Sequence, residues 1–528
     1  MKPIRRIAGL LTGTLLWSLL AASVHAAVIE PELNLLLQAR GAGEAIPVIV
    51  TFPRVVDPWS LQETDRRQRR SRLLQALQQE AQGFPAQVQR YAEEHGATQI
   101  KSLWAAHALA LSGEPSLIRD LAALFGVESI RQDRIMRVFA GSQGHHSIQP
   151  GRNGLPSVRK PRHDSDHTGP VEESKPLETV ARAADLFSVS AAPTSSPEWN
   201  LTAVKGPDLW ALGFTGQGVV VASLDTGVDA QHPDLSAQYR GGTNSWFDPH
   251  GEHATPADLD GHGTHAMSLA VGRVSGGTAI GMAPDAQWIA AKLFNDAGFA
   301  RESLMHQSLQ WALDPDGDVA TDDAPDVVTL SWAVATVNVC NRAFQGELDA
   351  LRASGIAVVL SAGNSGAGVS TSISPANNPG QLSVGSVNQQ LTLSPFSSRG
   401  PSACDGGMFP AVVAPGEQVR VADRSFGGML NYATVTGTSF AAPHVAGALA
   451  LLKSAVPAAP LPVLESALQA TAVPLAPQDD SAQPRPWLID TLAAYRAALI
   501  GSGSEGALDR EGPRAEGDAT GLRQGVLR

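Results

Sequence analysis

Apolar runs of strand length recur from Trp199 to about Ile500: Gly218 to Leu224, Trp288 to Leu293, Val327 to Leu330, Ile356 to Leu360, Leu382 to Val387 and Ala411 to Ala414. Continuous apolar runs are how strands read when both faces of a sheet are covered. Helical patterns lie between them. The alternation predicts an α/β unit over 198–500, a mostly parallel sheet flanked by helices. One helical stretch, Phe440 to Leu452, is small and apolar nearly all round, so it is expected to be buried.

The pattern changes upstream. Ile46 to Phe52 reads as a strand, Leu61 to His95 as mostly helix, and Ile100 to Leu111 as a strand. Pro115 to Phe125 reads as a helix stopped by Gly126, and Val127 to Val138 as a last strand. This predicts a small α+β, ferredoxin-like unit over 27–139. The run Arg66-Arg67-Gln68-Arg69-Arg70 falls on its long helix and reads as a solvated face. Residues 140–197 are polar and rich in Gly, Ser, Pro and His, which predicts a linker; 501–528 predicts a disordered tail.

The start reads as a targeting segment. Lys2, Arg5 and Arg6 precede an apolar run from Ile7 to Leu20, and small residues lead to Val24-His25-Ala26. That run is short for a bilayer span, so 1–26 is expected to be a removable signal peptide. The expected protein is exported, to the periplasm or the extracellular space, and monomeric, with no membrane association after leader removal. The formal net charge of −12 argues against nucleic acid as a partner. Cys340 and Cys404 are the two cysteines. Export permits a disulfide, yet the sequence does not distinguish one from two separate buried thiols.

Three separated motifs carry candidate chemistry. Asp225-Thr226-Gly227 ends an apolar strand, and His262 opens a helix within Asp260-Gly261-His262-Gly263-Thr264-His265. Ser439, in Gly437-Thr438-Ser439, starts the buried helix, where unpaired N–H groups and the helix dipole favour an anion. A nucleophilic serine needs a base, and the base a carboxylate that fixes its tautomer. A fourth piece, Ser361-Ala362-Gly363-Asn364, places an amide donor after a strand, suited to a developing oxyanion. Each piece alone has an ordinary reading as a turn, a core histidine or a helix cap. His265 reads as a packed core residue, since a zinc helix needs His at i and i+4 with an intervening Glu.

Together the four motifs resemble those of the subtilisin-like serine proteases, the subtilases. Pro197-Glu198-Trp199-Asn200, Asp248-Pro249-His250 and Ala324-Pro325-Asp326-Val327-Val328 are similar to a bacillopeptidase F-like branch. The resemblance implies a serine endopeptidase with Ser439 as nucleophile, His262 as general base and acid, Asp225 orienting it, and Asn364 in the oxyanion hole. It implies that Ser331-Trp332-Ala333 borders the substrate, with an alanine at Ala333 where the family has glycine. Protein or peptide substrates are implied, with 27–139 as an inhibitory pro-domain that helps folding. Alternatives are an idle fold kept for binding and an acyl-transferring peptide ligase. No cofactor is implied for the chemistry. Structural calcium is the family's habit, and Asp234 matches one of its ligands, although the partner loop Val271–Thr278 is rebuilt. The aspartates Asp314, Asp316, Asp318, Asp322 and Asp323 lack the Gly and Glu spacing of an EF-hand and read as a solvated acidic loop.

Overall fold

The structure, a computed structural model, describes residues 27–41, 43–61, 65–138, 148–150, 196–334, 336–475 and 487–502. Residues 1–26, expected as a signal peptide, most of 140–197 and 503–528 lie outside the described residues. Among the described residues no helix is long and apolar enough to cross a membrane.

The N-terminal unit carries a five-stranded sheet of β1 (Val28–Ile29), β2 (Ile46–Thr51), β3 (Thr98–Leu103), β4 (Ala108–Gly113) and β5 (Ser129–Gln132). Its order is β1-β5-β2-β4-β3. Helices Arg66–Ala81 and Phe84–Glu94 join β2 to β3, and Pro115–Ala123 joins β4 to β5, a ferredoxin-like β-α-β-β-α-β path. Val48, Val50, Leu109, Leu111 and Ile130 meet Val88, Leu117 and Leu121 in its core.

Three local expectations need correction. The helix expected from Leu61 to His95 is two helices, because Gly83 is followed by Pro85 in the first turn of the second. Proline lacks an N–H and clashes with a preceding turn, so the helix restarts there. The strand expected from Ile100 to Leu111 is a hairpin. A 3-10 turn at Trp104–Ala106 and His107 at φ 53° reverse the chain. The final strand splits after Gln132: β6 (Ile135–Val138) leaves the small sheet. It pairs antiparallel with β7 (Ile148–Pro150) and with β11 (Phe299–Arg301) of the larger unit.

The larger unit is built on a nine-stranded sheet. In chain order its strands are β8 (Val220–Asp225), β9 (Trp246–Phe247), β10 (Gln287–Lys292), β12 (Val327–Leu330), β13 (Ala357–Ser361), β14 (Leu382–Val387), β15 (Val412–Pro415), β18 (Val473–Pro474) and β19 (Trp487–Leu488). The order is β18-β19-β15-β14-β13-β12-β8-β10-β9, parallel throughout except between β18 and β19. A separate antiparallel pair, β16 (Val419–Ala422) and β17 (Tyr432–Val435), lies beside it. The fold is therefore the expected α/β sheet with helices against it. Helix Thr438–Ala455 is buried from Thr438 through Leu452 and packs on β12 to β15, which explains its small, apolar surface. Strand order reverses at β8, whose neighbours β10 and β12 follow it on opposite sides. Such a switch point opens a crevice at the carboxyl ends of the strands. Asp225 ends β8, and Ser331 follows β12.

The arginine run is not a solvated face; it docks on the larger unit. Arg66 bonds Asp326 Oδ1 (2.5 Å) and the Pro325 carbonyl (2.8 Å), and Arg69 donates to the Ala353 carbonyl (2.9 Å). Arg131 of β5 reaches Glu302 Oε1 (2.9 Å) on helix Glu302–Leu313. Asp133 accepts from the N–H (2.9 Å) and hydroxyl (2.7 Å) of Ser303, satisfying the free amino end of that helix.

Cys340 and Cys404 are joined in a disulfide across 64 residues of sequence. Closing a loop of that length removes unfolded-state entropy. Cys340→Ser with Cys404→Ser is expected to lower stability by about 2–4 kcal/mol, read as a denaturation midpoint below that of the oxidised parent. A midpoint unchanged from the parent would count against it.

Candidate active site

The carboxylate and imidazole come from neighbouring elements at the switch point. His262 Nδ1 lies 2.7 Å from Asp225 Oδ1, and both side chains are buried. Asp225 Oδ1 also accepts from the Thr226 N–H (2.7 Å). A carboxylate at Nδ1 accepts a hydrogen bond from Nδ1–H, which leaves Nε2 as the lone-pair nitrogen of the neutral ring. Burial pulls the His262 pKa down. The Asp225 charge and hydrogen bond, with Asp260 and Asp258 behind them, outweigh it and leave the pKa raised.

Asp258, which the motifs did not single out, organises this corner. Its Oδ1 accepts from Thr226 Oγ1 (3.0 Å) and the N–H groups of Asp260 (3.1 Å) and Gly261 (2.8 Å). Its Oδ2 accepts from the N–H (2.9 Å) and hydroxyl (2.6 Å) of Thr264. One buried carboxylate thus caps helix His262–Val271 and binds it to the Asp225 turn. A signal was present, an aspartate shortly before a helix start. Gly263 completes the junction: a Cβ there would meet the Gly227 carbonyl oxygen at 2.1 Å. Lys292, also missed, is buried and donates to the Thr226 carbonyl (3.0 Å).

Ser439 is buried as the second residue of helix Thr438–Ala455. Its hydroxyl donates to the Ser331 carbonyl (3.2 Å), and Ser331 Oγ donates back to the Ser439 carbonyl (2.9 Å). The next residue, Phe440, packs its ring 5.3 Å from the His262 ring. The amino end of this helix therefore faces the same imidazole that Asp225 holds. Asn364 sits half-buried beyond β13. Its Oδ1 accepts from the N–H and hydroxyl of Thr438, both at 2.9 Å, which fixes the amide and leaves its NH2 as the donor face. At Gly363 (φ +96°) a Cβ would strike Ile373 at 2.5 Å, so only glycine fits this turn.

Ser331, Trp332 and Ala333, expected to border the substrate, are all buried. Trp332 is buried edge-on against Phe344, and Ala333 is buried beside it. The Val334 N–H donates to the Ser374 carbonyl (2.7 Å), tying this segment to the loop of Ile373 and Ser374. His265 is half-buried and pairs with Asp423 (2.9 Å) rather than packing in the core.

Asp234, expected as a calcium ligand, is otherwise engaged. Its Oδ1 accepts from the N–H of Ser275 in the rebuilt loop (2.5 Å), and its Oδ2 from the hydroxyl of Tyr432 on β17 (2.6 Å). Among the described residues, triplets with metal-ligand spacing fall elsewhere, at Glu252, His253 and Asp296 and at Asp314, Asp316 and Asp323. Lys292 already stands 3.1 Å from Asp296 in the first.

Asp260→Asn keeps an acceptor for the His262 N–H (3.2 Å) and removes a charge that raises the imidazole pKa. A base must be neutral to work, so the acid limb of kcat/KM against pH should move to lower pH. An unmoved limb would mean that His262 does not titrate in that profile.

The family description "Subtilase family" matches residues 216–496. Bacillopeptidase F of Bacillus subtilis (strain 168) is 34% identical over 346 residues, 61% of this chain and 24% of the relative. The Major intracellular serine protease of Bacillus subtilis (strain 168) is 33% identical over 260 residues, 48% of this chain and 73% of the relative. Subtilisin E of the same strain is 34% identical over 264 residues, 50% of this chain and 62% of the relative. The chain thus spans about a quarter of the first relative's length and under two thirds of the third's.

Proposed function

We propose, for a chain that belongs to the subtilase family and is a serine-type peptidase, that it is an exported endopeptidase made as a self-processing zymogen, with Asp225, His262 and Ser439 as its triad. The observation that carries this reading is the buried His262–Asp225 bond of 2.7 Å with the amino end of the Ser439 helix against the same ring.

The chemistry follows from these positions. In this reading the Ser439 hydroxyl leaves the Ser331 carbonyl and turns to His262 Nε2. Oγ attacks the scissile carbonyl carbon, and its proton passes to Nε2. The oxyanion is met by Asn364 Nδ2 and the Ser439 N–H, at the positive end of an 18-residue helix. His262 then gives the proton to the leaving amine. Water, activated by the same nitrogen, frees the acyl group. The raised pKa of His262 fits an imidazole that must hold a proton between these steps. Substrate main chain would lie along Ser331–Ala333 and β11 as an added strand.

The N-terminal unit is read as an inhibitor that stays until cleavage. What supports this is β6: Met136 and Arg137 pair with Ala300 and Phe299, so the chain leaving this unit already occupies the β11 edge. Cleavage would fall between 140 and 198.

The test is processing and turnover together. The purified full chain, followed by intact mass and N-terminal sequencing, should lose its N-terminal unit and then cleave casein. A folded chain that has shed this unit and hydrolyses no peptide bond across the neutral and alkaline range would defeat the proposal.

A further inference from the structure

Large exposed apolar side chains gather at one corner of the larger unit. Phe426 is 66% exposed, Met429 61%, Leu430 49% and Leu259 48%. The first three stand on the turn between β16 and β17, and Leu259 precedes His262 by three residues. Arg424 joins the two groups: it donates to the Leu259 carbonyl, and its guanidinium carbon lies 5.4 Å from the centre of the Phe426 ring. Polar bonds brace the turn from beneath. Asp229 Oδ2 accepts from the N–H and hydroxyl of Ser425, both at 2.7 Å. Asp423 Oδ1 pairs with His265 (2.9 Å), and the Asn431 carbonyl meets His232 Nε2 (2.9 Å). The Met429 N–H closes the turn on the Ser425 carbonyl (3.0 Å). The polar anchors are buried or half-buried, and the apolar side chains are left in water.

Phe426 is also held in an unfavourable backbone conformation. Its φ is 47°, in the left-handed region that a bulky side chain rarely enters. Glycine or asparagine would sit there at less cost. A phenylalanine that is strained and exposed at once gives the core nothing, and such outliers gather at ligand sites. The place of the corner says which ligand. β16 and β17 pack with Leu269 and Phe440, and Phe440 lies against the rings of His262 and His265. The hairpin therefore stands on the His262 side of Ser439, whereas Ser331–Ala333 and Asn364 approach from the ends of β12 and β13. In acyl transfer the nucleophile and the oxyanion donors hold the acyl half, and the histidine, as general acid, meets the leaving amine. Substrate beyond the cleaved bond is thus carried past His262 toward Leu259 and the turn.

We propose that Leu259, Phe426, Met429 and Leu430 form a subsite for apolar side chains on the leaving-group side of the scissile bond. The preferred substrates are then peptides with leucine, phenylalanine or a similar residue within the first three positions after the cut. This rests on the peptidase reading given above. The selectivity comes from apolar surface removed from water. Covering about half of one such side chain at this corner favours it over a polar one by roughly tenfold.

The test uses the processed protein and two internally quenched peptides. They are identical up to the scissile bond and carry either leucine or serine at the three positions after it, with the cleaved bond confirmed by mass. In the parent, kcat/KM is expected to be about tenfold higher for the leucine peptide. Phe426→Asn combined with Met429→Ser should bring that ratio below about threefold. A p-nitroanilide of the same acyl half, which has no residue after the cut, should be hydrolysed by both proteins within about twofold of one another. Phe426→Asn alone should melt no lower than the parent, since asparagine tolerates the left-handed backbone, so a folding defect cannot imitate the result. Equal rates on the two peptides in the parent, or an unchanged ratio in the double variant, would overturn the subsite. An equal loss on the anilide would do the same. So would a parent dimer, seen by light scattering, that the double variant dissolves, because the corner would then belong to a second copy. Hydrolysis of neither peptide would defeat the peptidase reading and the subsite together, whereas hydrolysis without preference defeats the subsite alone.

Discussion

Ser439→Ala is expected to lower peptide hydrolysis by on the order of 10⁴–10⁶-fold, with the fold intact. The loss is large because the hydroxyl is the group that forms the covalent bond. Without it, Asp225 and His262 have no nucleophile to activate, and only the oxyanion donors and substrate binding remain. Stability should barely change, since the hydroxyl makes one internal hydrogen bond, to the Ser331 carbonyl at 3.2 Å. The effect should appear in kcat, with KM near that of the parent, because no binding contact is removed. Progress curves on an internally quenched peptide, beside a thermal melt, make the check. A fall of less than tenfold in a folded variant would be incompatible with Ser439 as nucleophile.

Asn364→Ala is expected to cost about 10²–10³-fold in kcat, the size recorded for removing one such donor from a subtilisin. The amide is useful because it is immobile. Both Thr438 donors hold its oxygen, so the NH2 is aimed before charge develops. Alanine also strips Thr438 of its acceptor, and part of the loss could then come from a loosened helix start. Asn364→Asp separates the two effects. It keeps an acceptor for Thr438 but presents an anion where an oxyanion must form, so it should be at least as inactive as alanine. If Asn364→Asp kept near-parental kcat, the amide would be holding the helix rather than the transition state.

The chemistry was more legible in the sequence than the scaffolding around it. Asp225, His262, Asn364 and Ser439 announce themselves through short-range context, a strand end or a helix start, and the fold brings their elements to one crevice. Asp258 serves the same corner from four residues before His262, yet an aspartate near glycine reads first as a turn; its five donors become visible only when the Thr226 and Thr264 loops meet. The apolar runs mark the large sheet because burial on both faces leaves a one-dimensional trace. The hairpin at Trp104–His107 leaves none, since its turn, Trp104-Ala105-Ala106-His107, holds neither Gly nor Pro and the reversal depends on one left-handed residue, His107. The arginine run was hidden for a different reason. Charge on a helix looks the same whether it meets water or carbonyls some 250 positions away, as Arg70 does at Thr321. Asp234 carries a motif that fits a metal ligand, and its present partners, the Ser275 N–H and the Tyr432 hydroxyl, are contacts that its own motif does not encode.

The central claim is that Ser439 is made nucleophilic by the Asp225–His262 pair. Treating the protein that has shed its N-terminal unit with a serine-directed fluorophosphonate, then mapping the adduct by peptide mass spectrometry, reads that claim without a substrate. The expected result is one adduct per chain, on Ser439, lost in His262→Ala. A folded protein in which Ser439 stays unmodified, or in which His262→Ala reacts as fast as the parent, would contradict it.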